Sequence, residues 1–240
     1  MRVLGLETST QVGTVAVLDQ NQVRGEISFL STTTHSERIL QNIDQVLRGA
    51  DLSPADLDGV AVGLGPGSFT GLRIGLSTAK GLAYALGIPL AGIPTLEALA
   101  NNAPFWPELI CAILDARRGF VYGGLFTTTA GETLKRIERD EVREVVPWVR
   151  SFGRRTLFVG DGGLTYREAI QEAIGARANF AHPEMMHPRS SIIARMGLMR
   201  IECQGGDDLH ALEPLYIRRP EAAPLKMAIE MAQIQGKMAR

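Results

Sequence analysis

The stretch VGLGPGSFTGLRIG, residues 62–75, constrains this chain more than any other part of it. It follows the apolar run LDGVAV and opens a helix expected from about Gly71 to Leu86. Glycines at 63, 65, 67 and 71 crowd a strand-to-helix junction, where backbone N–H groups can converge on an anion. The spacing nevertheless departs from both common phosphate loops. No lysine follows the glycines, Arg73 already lies inside the helix, and the third glycine is misplaced for GxGxxG. Pro66 removes an N–H from the loop centre. Ser68 or Thr70 is expected to cap the helix; a direct phosphate contact here is the weaker alternative.

Inside the helix, Gly71, Gly75, Ala79, Ala83 and Gly87 recur every fourth residue and form one small-residue face. Glycine costs a helix roughly 1 kcal/mol relative to alanine, so this face predicts a close approach by another backbone. Two occupants fit it. One is the chain's own sheet or its helix at 36–49; the other is a helix of another subunit.

The remaining pattern is α/β. RVLGL (2–6) and VGTVAVL (12–18) flank the turn-prone ETSTQ and predict a hairpin, with 22–30 as a third strand. Ile39, Leu40, Ile43, Val46 and Leu47 lie at helical spacing before Gly49. LDGVAVGLG and IPLAGI read as strands, and PTLEALANN as a short helix. After Pro104 and Pro107 the pattern restarts: ICAIL, Asp115, the turn ARRG and FVYGGLF repeat the opening strand, Glu7, turn and strand. A strand at 132–142, a helix at Val145–Phe152, the strand TLFVGDGG and helices at 164–173 and 190–203 complete the reading. Two related lobes are therefore expected, at 1–104 and 105–219, with coincidence as the alternative to duplication. Residues 220–240 form a tail, either a docking helix or a loose end.

A formal net charge of -1 gives no broad basic field for nucleic acid or an anionic membrane. Cys111 and Cys203 both lie in apolar contexts and read as buried, inert thiols of a reducing compartment. No run reaches membrane-spanning length and no basic-then-apolar leader is visible, so the expected location is cytoplasmic.

Chemistry-bearing groups are sparse. His35, His182, His187 and His210 make neither HxxxH nor HExxH, so no metal site is expected. Ser9 and Ser68 lie in turns without a GxSxG elbow. Glu7 and Asp115 end equivalent strands; they are either paired acids for magnesium or acid–base work, or turn-forming carboxylates. Arg117 and Arg118 follow Asp115, as an ion pair, an anion contact or a solvated turn.

ETST, HSERIL, GLGPGSFTGLRIGLSTAKGLA, IPTLEAL, LDARRGFVYGGLF, VGDGG and PLYIRRPE occur in this order, and together they resemble the bacterial TsaB (YeaZ) family over about residues 1–221. The resemblance implies a two-lobed actin-like ATPase (ASKHA) fold and a role in tRNA threonylcarbamoyladenosine biosynthesis. It implies a non-catalytic subunit that pairs with the catalytic paralogue TsaD and works with the ATPase TsaE. TsaD transfers threonylcarbamoyl to the adenosine beside the anticodon in tRNAs reading codons that begin with A. The paralogue's HxxxH pair has no counterpart in IPTLEALANN. ATP or ADP and a metal are accordingly expected on the partner subunits, and tRNA is reached only through the complex. Family pairing through first-lobe helices makes His35, Ile39, Ile43, Gly71, Arg73, Gly75, Ala79 and Ala83 the expected partner contacts, with a homodimer possible for the chain alone. Thr8, Ser9, Gly65, Gly67, Ser68, Arg117 and Arg118 are the candidates for a nucleotide or anion. Glu7 where the family commonly has Asp, and Phe120 where it has an acid, weaken that set. An autonomous ATP-binding phosphotransferase or ATPase of the same fold is the competing function, and a metal-dependent peptidase lacks ligands.

Overall fold

The computed structural model describes residues 1–30, 38–129 and 134–217. His35, the start of the expected strand at 132 and the tail from 220 lie outside these residues.

Strands β1 (Arg2–Glu7), β2 (Val12–Asp19) and β3 (Gln22–Leu30) form an antiparallel meander, with Val3 opposite Leu18 and Glu7 opposite Thr14. β4 (Gly59–Gly63) and β5 (Leu90–Ile93) add in parallel, giving the order β3-β2-β1-β4-β5. The second sheet contains β6 (Leu109–Asp115), β7 (Phe120–Thr128), β8 (Leu134–Arg136), β10 (Thr156–Val159) and β11 (Ala178–Phe180). Its order is β8-β7-β6-β10-β11, with β9 (Glu141–Glu144) also paired to β7. Each half thus lays an antiparallel partner on one side of its first strand and two parallel strands on the other. This repeated order is the duplication anticipated from the two hairpins.

The cores follow from period-two alternation. Leu4, Leu6, Val60 and Val62 face helices α1 (Ile39–Gly49) and α2 (Phe69–Leu86). Val3, Ala61, Ala91 and Ile93 point the other way, against α7 (Ser190–Gln204). In the second sheet Ile110, Ala112 and Leu114 face α3 (Thr95–Ala100), while Leu109, Cys111 and Ile113 face α4 (Val145–Arg150) and α6 (Arg167–Ile174). Burial of strands on both faces explains why their sequences are continuous apolar runs.

Two helices serve the sheet of the opposite half. α3 precedes residue 104 yet packs on β6 and β7, and α7 comes from the second half yet covers β1, β2, β4 and β5. The first-sheet approach is close: a Cβ on Gly5 would stand 2.2 Å from the Ser190 carbonyl oxygen, and one on Gly197 would stand 2.3 Å from Ala61 Cβ. Chain order alone therefore does not divide the cores.

Three local expectations change. The strand at 132–142 divides into β8 and β9, because the Ile137 and Glu138 N–H groups both reach the Leu125 carbonyl, forming a bulge between them. The helix at 164–173 divides at Tyr166 into α5 (Asp161–Thr165) and α6. Cys111 is buried, and burial pushes its thiol well up, but Cys203 is exposed. α7 buries Ile193, Ala194, Gly197, Leu198 and Ile201, a stripe that residue 203 misses.

Candidate functional site

The glycine stretch is folded against the turn between β1 and β2. The Ser68 N–H donates to the Ser9 carbonyl at 2.7 Å, and the Thr8 hydroxyl donates to the Gly71 carbonyl at 2.7 Å. Ser68 is the helix cap, its Oγ accepting from the Gly71 N–H at 3.3 Å. A Cβ on Gly67 would stand 2.3 Å from the Ser9 carbonyl oxygen; on Gly71, 2.0 Å from the Thr8 carbonyl oxygen; on Gly75, 2.3 Å from Thr8 Oγ1. These glycines admit the chain's own hairpin turn.

That packing corrects the expected partner face. Gly71, Gly75, Ala79 and Ala83 are buried, and Ala79 and Ala83 share a core cluster with Leu4, Leu6, Val60 and Val62. Ile39 and Ile43 lie in the same cluster. The small side chains draw α2 onto its own sheet, leaving no surface there for a second subunit. Gly87 ends the helix at φ 66° instead of continuing the stripe. Of the expected contacts within the described residues, Arg73 alone is exposed.

The open face of α2 instead carries Phe69, Arg73, Ser77, Lys80 and Tyr84, spaced four, four, three and four apart. The Arg73 guanidinium lies 4.0 Å from the Phe69 ring centre and donates through Nε to Tyr216 Oη at 3.1 Å. Phe69 and Tyr216 rings are 5.3 Å apart. Beside them a groove of about 400 Å³ runs between Leu76, Lys80, Leu212 and Pro214. Tyr84 is three-quarters exposed. The near-four-residue spacing of Phe69, Arg73, Lys80 and Tyr84 along α2 is readable in the sequence; their placement on its open face is not.

Of the nucleotide or anion candidates in the first lobe, Ser68 is bonded to Ser9 and Thr8 to the Gly71 carbonyl. Thr8 and Ser9 are buried, and the Gly65 N–H donates to Thr95 Oγ1 at 3.0 Å. Thr95 in turn donates to Glu7 Oε2 at 3.0 Å, and the Ser9 N–H donates to Glu7 Oε1 at 2.6 Å. Thr95 went unnoticed in the sequence because only tertiary folding brings it to residue 7. Glu7 is completely buried, and burial, opposed by these donors, pushes its carboxyl above the ordinary carboxylate range.

Arg117 and Arg118 sit apart from this group, exposed on the β6–β7 turn at φ 67° and 56°. Asp115 Oδ1 accepts from the Arg117 N–H at 2.8 Å and from Tyr166 Oη at 2.8 Å, while Asp161 Oδ1 accepts from the Asp115 N–H at 2.9 Å. Glu7 and Asp115 therefore make the same bond, each to the N–H two residues ahead. Each acid thereby closes its own turn. Burial raises the Asp161 carboxyl and lowers the half-buried His187 imidazole. Among the described residues, no group of three or more His, Cys, Asp or Glu side chains is arranged to hold a metal ion. Among the same residues, no helix is long and apolar enough to cross a membrane.

A family model described as TsaD, tRNA N6-adenosine threonylcarbamoyltransferase, matches residues 20–224. A Bacillus subtilis (strain 168) protein named tRNA threonylcarbamoyladenosine biosynthesis protein TsaB is 32% identical over 225 residues, covering 92% of this chain and 96% of that protein. The solved structure of YeaZ from Pseudomonas aeruginosa superposes with a TM-score of 0.74 at 25% identity, covering 90% of this chain and 99% of that one. The activator of 2-hydroxyisocaproyl-CoA dehydratase from Clostridium difficile, solved with bound ADPNP, shares the fold at a TM-score of 0.50 and 10% identity, over 85% of this chain and 97% of its own. The architecture is the two-lobed actin-like ATPase (ASKHA) fold.

Proposed function

Because this chain belongs to the TsaB (YeaZ) family of tRNA threonylcarbamoyladenosine biosynthesis proteins, we propose that it is the non-catalytic scaffold subunit of a threonylcarbamoyl transferase complex. It pairs in the cytoplasm with the catalytic paralogue TsaD, works with the ATPase TsaE, and reaches tRNA only through the assembly. Nucleotide and metal sit on those partners. Alone, the chain self-associates through the same first-lobe surface.

One observation carries this reading. The first lobe spends the Gly65, Ser68 and Gly71 N–H groups of its glycine loop on internal bonds while presenting Phe69, Arg73 and Tyr84 on the open face of α2. Exposed aromatics around an arginine are the composition that protein interfaces favour.

The test has two arms. Arg73→Glu is expected to abolish co-purification with TsaD while leaving thermal unfolding unchanged; pairing at full strength overturns the assigned surface. Isothermal titration of the isolated chain with ATP and magnesium is expected to show no tight binding. Tight binding with turnover overturns the scaffold reading in favour of an autonomous ATPase.

A further inference from the structure

Among the described residues, no carboxylate forms an ion pair with Arg73 or with Lys80 on the open face of α2. Glu213 stands in the wall of the neighbouring groove and pairs with neither. The first turn of α2 carries no acidic residue, although the positive end of a helix dipole favours one. The cations of this face are therefore left without an anion by their own chain.

Arg73 is nevertheless held in place. Its guanidinium lies 4.0 Å from the Phe69 ring centre, and its Nε donates to Tyr216 Oη at 3.1 Å. Tyr216 is itself fixed, because the Leu215 N–H donates to the Leu64 carbonyl at 2.8 Å and Leu212 packs against the first-lobe core. Ordering a flexible arginine costs conformational entropy on binding, and here folding has already done the ordering. Only the Nε edge is used; among the described residues Nη1 and Nη2 have no partner. Those two nitrogens present parallel N–H donors whose spacing matches the two oxygens of a carboxylate. The groove of about 400 Å³ that Arg73 lines adds an apolar wall of Leu76, Leu212 and Pro214.

We propose that Arg73 is a preset fork for a carboxylate of the protein partner. An Asp or Glu side chain of that partner meets Nη1 and Nη2, and an apolar side chain beside it enters the groove. Tyr216 is the positioning residue: by accepting from Nε it leaves the other edge of the guanidinium to the partner. The apolar groove wall and the exposed Tyr84 favour a protein over a phosphate backbone, and a net charge of -1 supplies no field for RNA. The inference rests on the pairing with TsaD proposed above and adds the chemical group that TsaD brings to this face.

The experiment is charge reversal across the interface, read as the Kd of the full chain for TsaD. A panel of TsaD variants reverses its exposed Asp and Glu residues to Lys, one at a time. One of them is expected to recover roughly tenfold of the affinity lost in Arg73→Glu. Arg73→Lys, which keeps the charge without the fork, is expected to bind TsaD roughly tenfold more weakly than wild type. Tyr216→Phe is expected to lose about threefold with Tm unchanged, and to lose nothing further in an Arg73→Gln background. Full affinity of Arg73→Gln overturns the fork, as does a panel in which no reversed TsaD recovers Arg73→Glu. Equal losses from Tyr216→Phe in both backgrounds overturn its positioning role. Unmodified tRNA bound by the isolated chain and released by Arg73→Gln assigns the fork to phosphate and overturns the carboxylate. Tyr84→Ala reports on the surface itself: if it weakens pairing while Arg73→Gln does not, the proposed function stands and the fork falls. Wild type without affinity for TsaD overturns both.

Discussion

Thr8 and Gly71 interlock. The Thr8 hydroxyl donates to the Gly71 carbonyl at 2.7 Å, and a side chain on Gly71 would stand 2.0 Å from the Thr8 carbonyl oxygen. The β1–β2 turn is thereby set against the first turn of α2, and the glycine spacing serves an internal contact between segments 63 residues apart. Their position also leaves α2 with one buried and one open face, which separates residues that stabilise the lobe from residues free to meet a partner.

Gly71→Ala therefore destabilises the protein despite alanine's better helix propensity. The obstructing atom is a backbone oxygen that no rotamer change can move, so a loss of about 1–3 kcal/mol is expected in urea unfolding. Gly81→Ala in the same helix meets nothing within 4 Å and should instead gain about 0.5–1 kcal/mol. Equal effects at the two positions would contradict the packing described.

Tyr84 lies on the open face of α2 and projects into solvent. Tyr84→Ala is expected to weaken pairing with TsaD at least tenfold, equivalent to about 1.4 kcal/mol, with Tm unchanged. Surface plasmon resonance with immobilised TsaD measures the first, and scanning calorimetry the second.

Buried Glu7 makes stability depend on pH. Its carboxyl titrates above the ordinary value of 4.5 in the folded protein, so the unfolded chain releases that proton first as pH rises. Its contribution is fully present below 4.5 and is lost as pH rises through the folded value. Stability of wild type relative to Glu7→Gln should accordingly fall between pH 4 and neutrality. Parallel urea curves at each pH provide the comparison; a constant difference would mean that Glu7 is not desolvated.

Ser68 caps the 18-residue helix α2 through its Oγ. Ser68→Ala should cost about 1 kcal/mol, and Ser68→Asp should retain most of that stability. Circular dichroism melts of the three proteins decide the point.

The sequence carried the elements, their duplication and the cap, because each is written in neighbouring residues. Period-two apolar runs name the strands, and the repeated strand–acid–turn–strand opening announces two lobes of like topology. A four-residue recurrence of glycine and alanine announces that something comes close to α2. What comes close is not a local property. Only tertiary folding brought Thr8 onto Gly71 and Gly75, and only it set Thr95 between Gly65 and Glu7. The exchange of α3 and α7 between the two halves likewise depends on which sheet face remains uncovered once the strands have paired. The stripe of small residues was thus determined by sequence as a site of close approach, while its occupant was decided by the fold: burial of apolar sheet faces turns that stripe inward, leaving Phe69, Arg73 and Tyr84 outside.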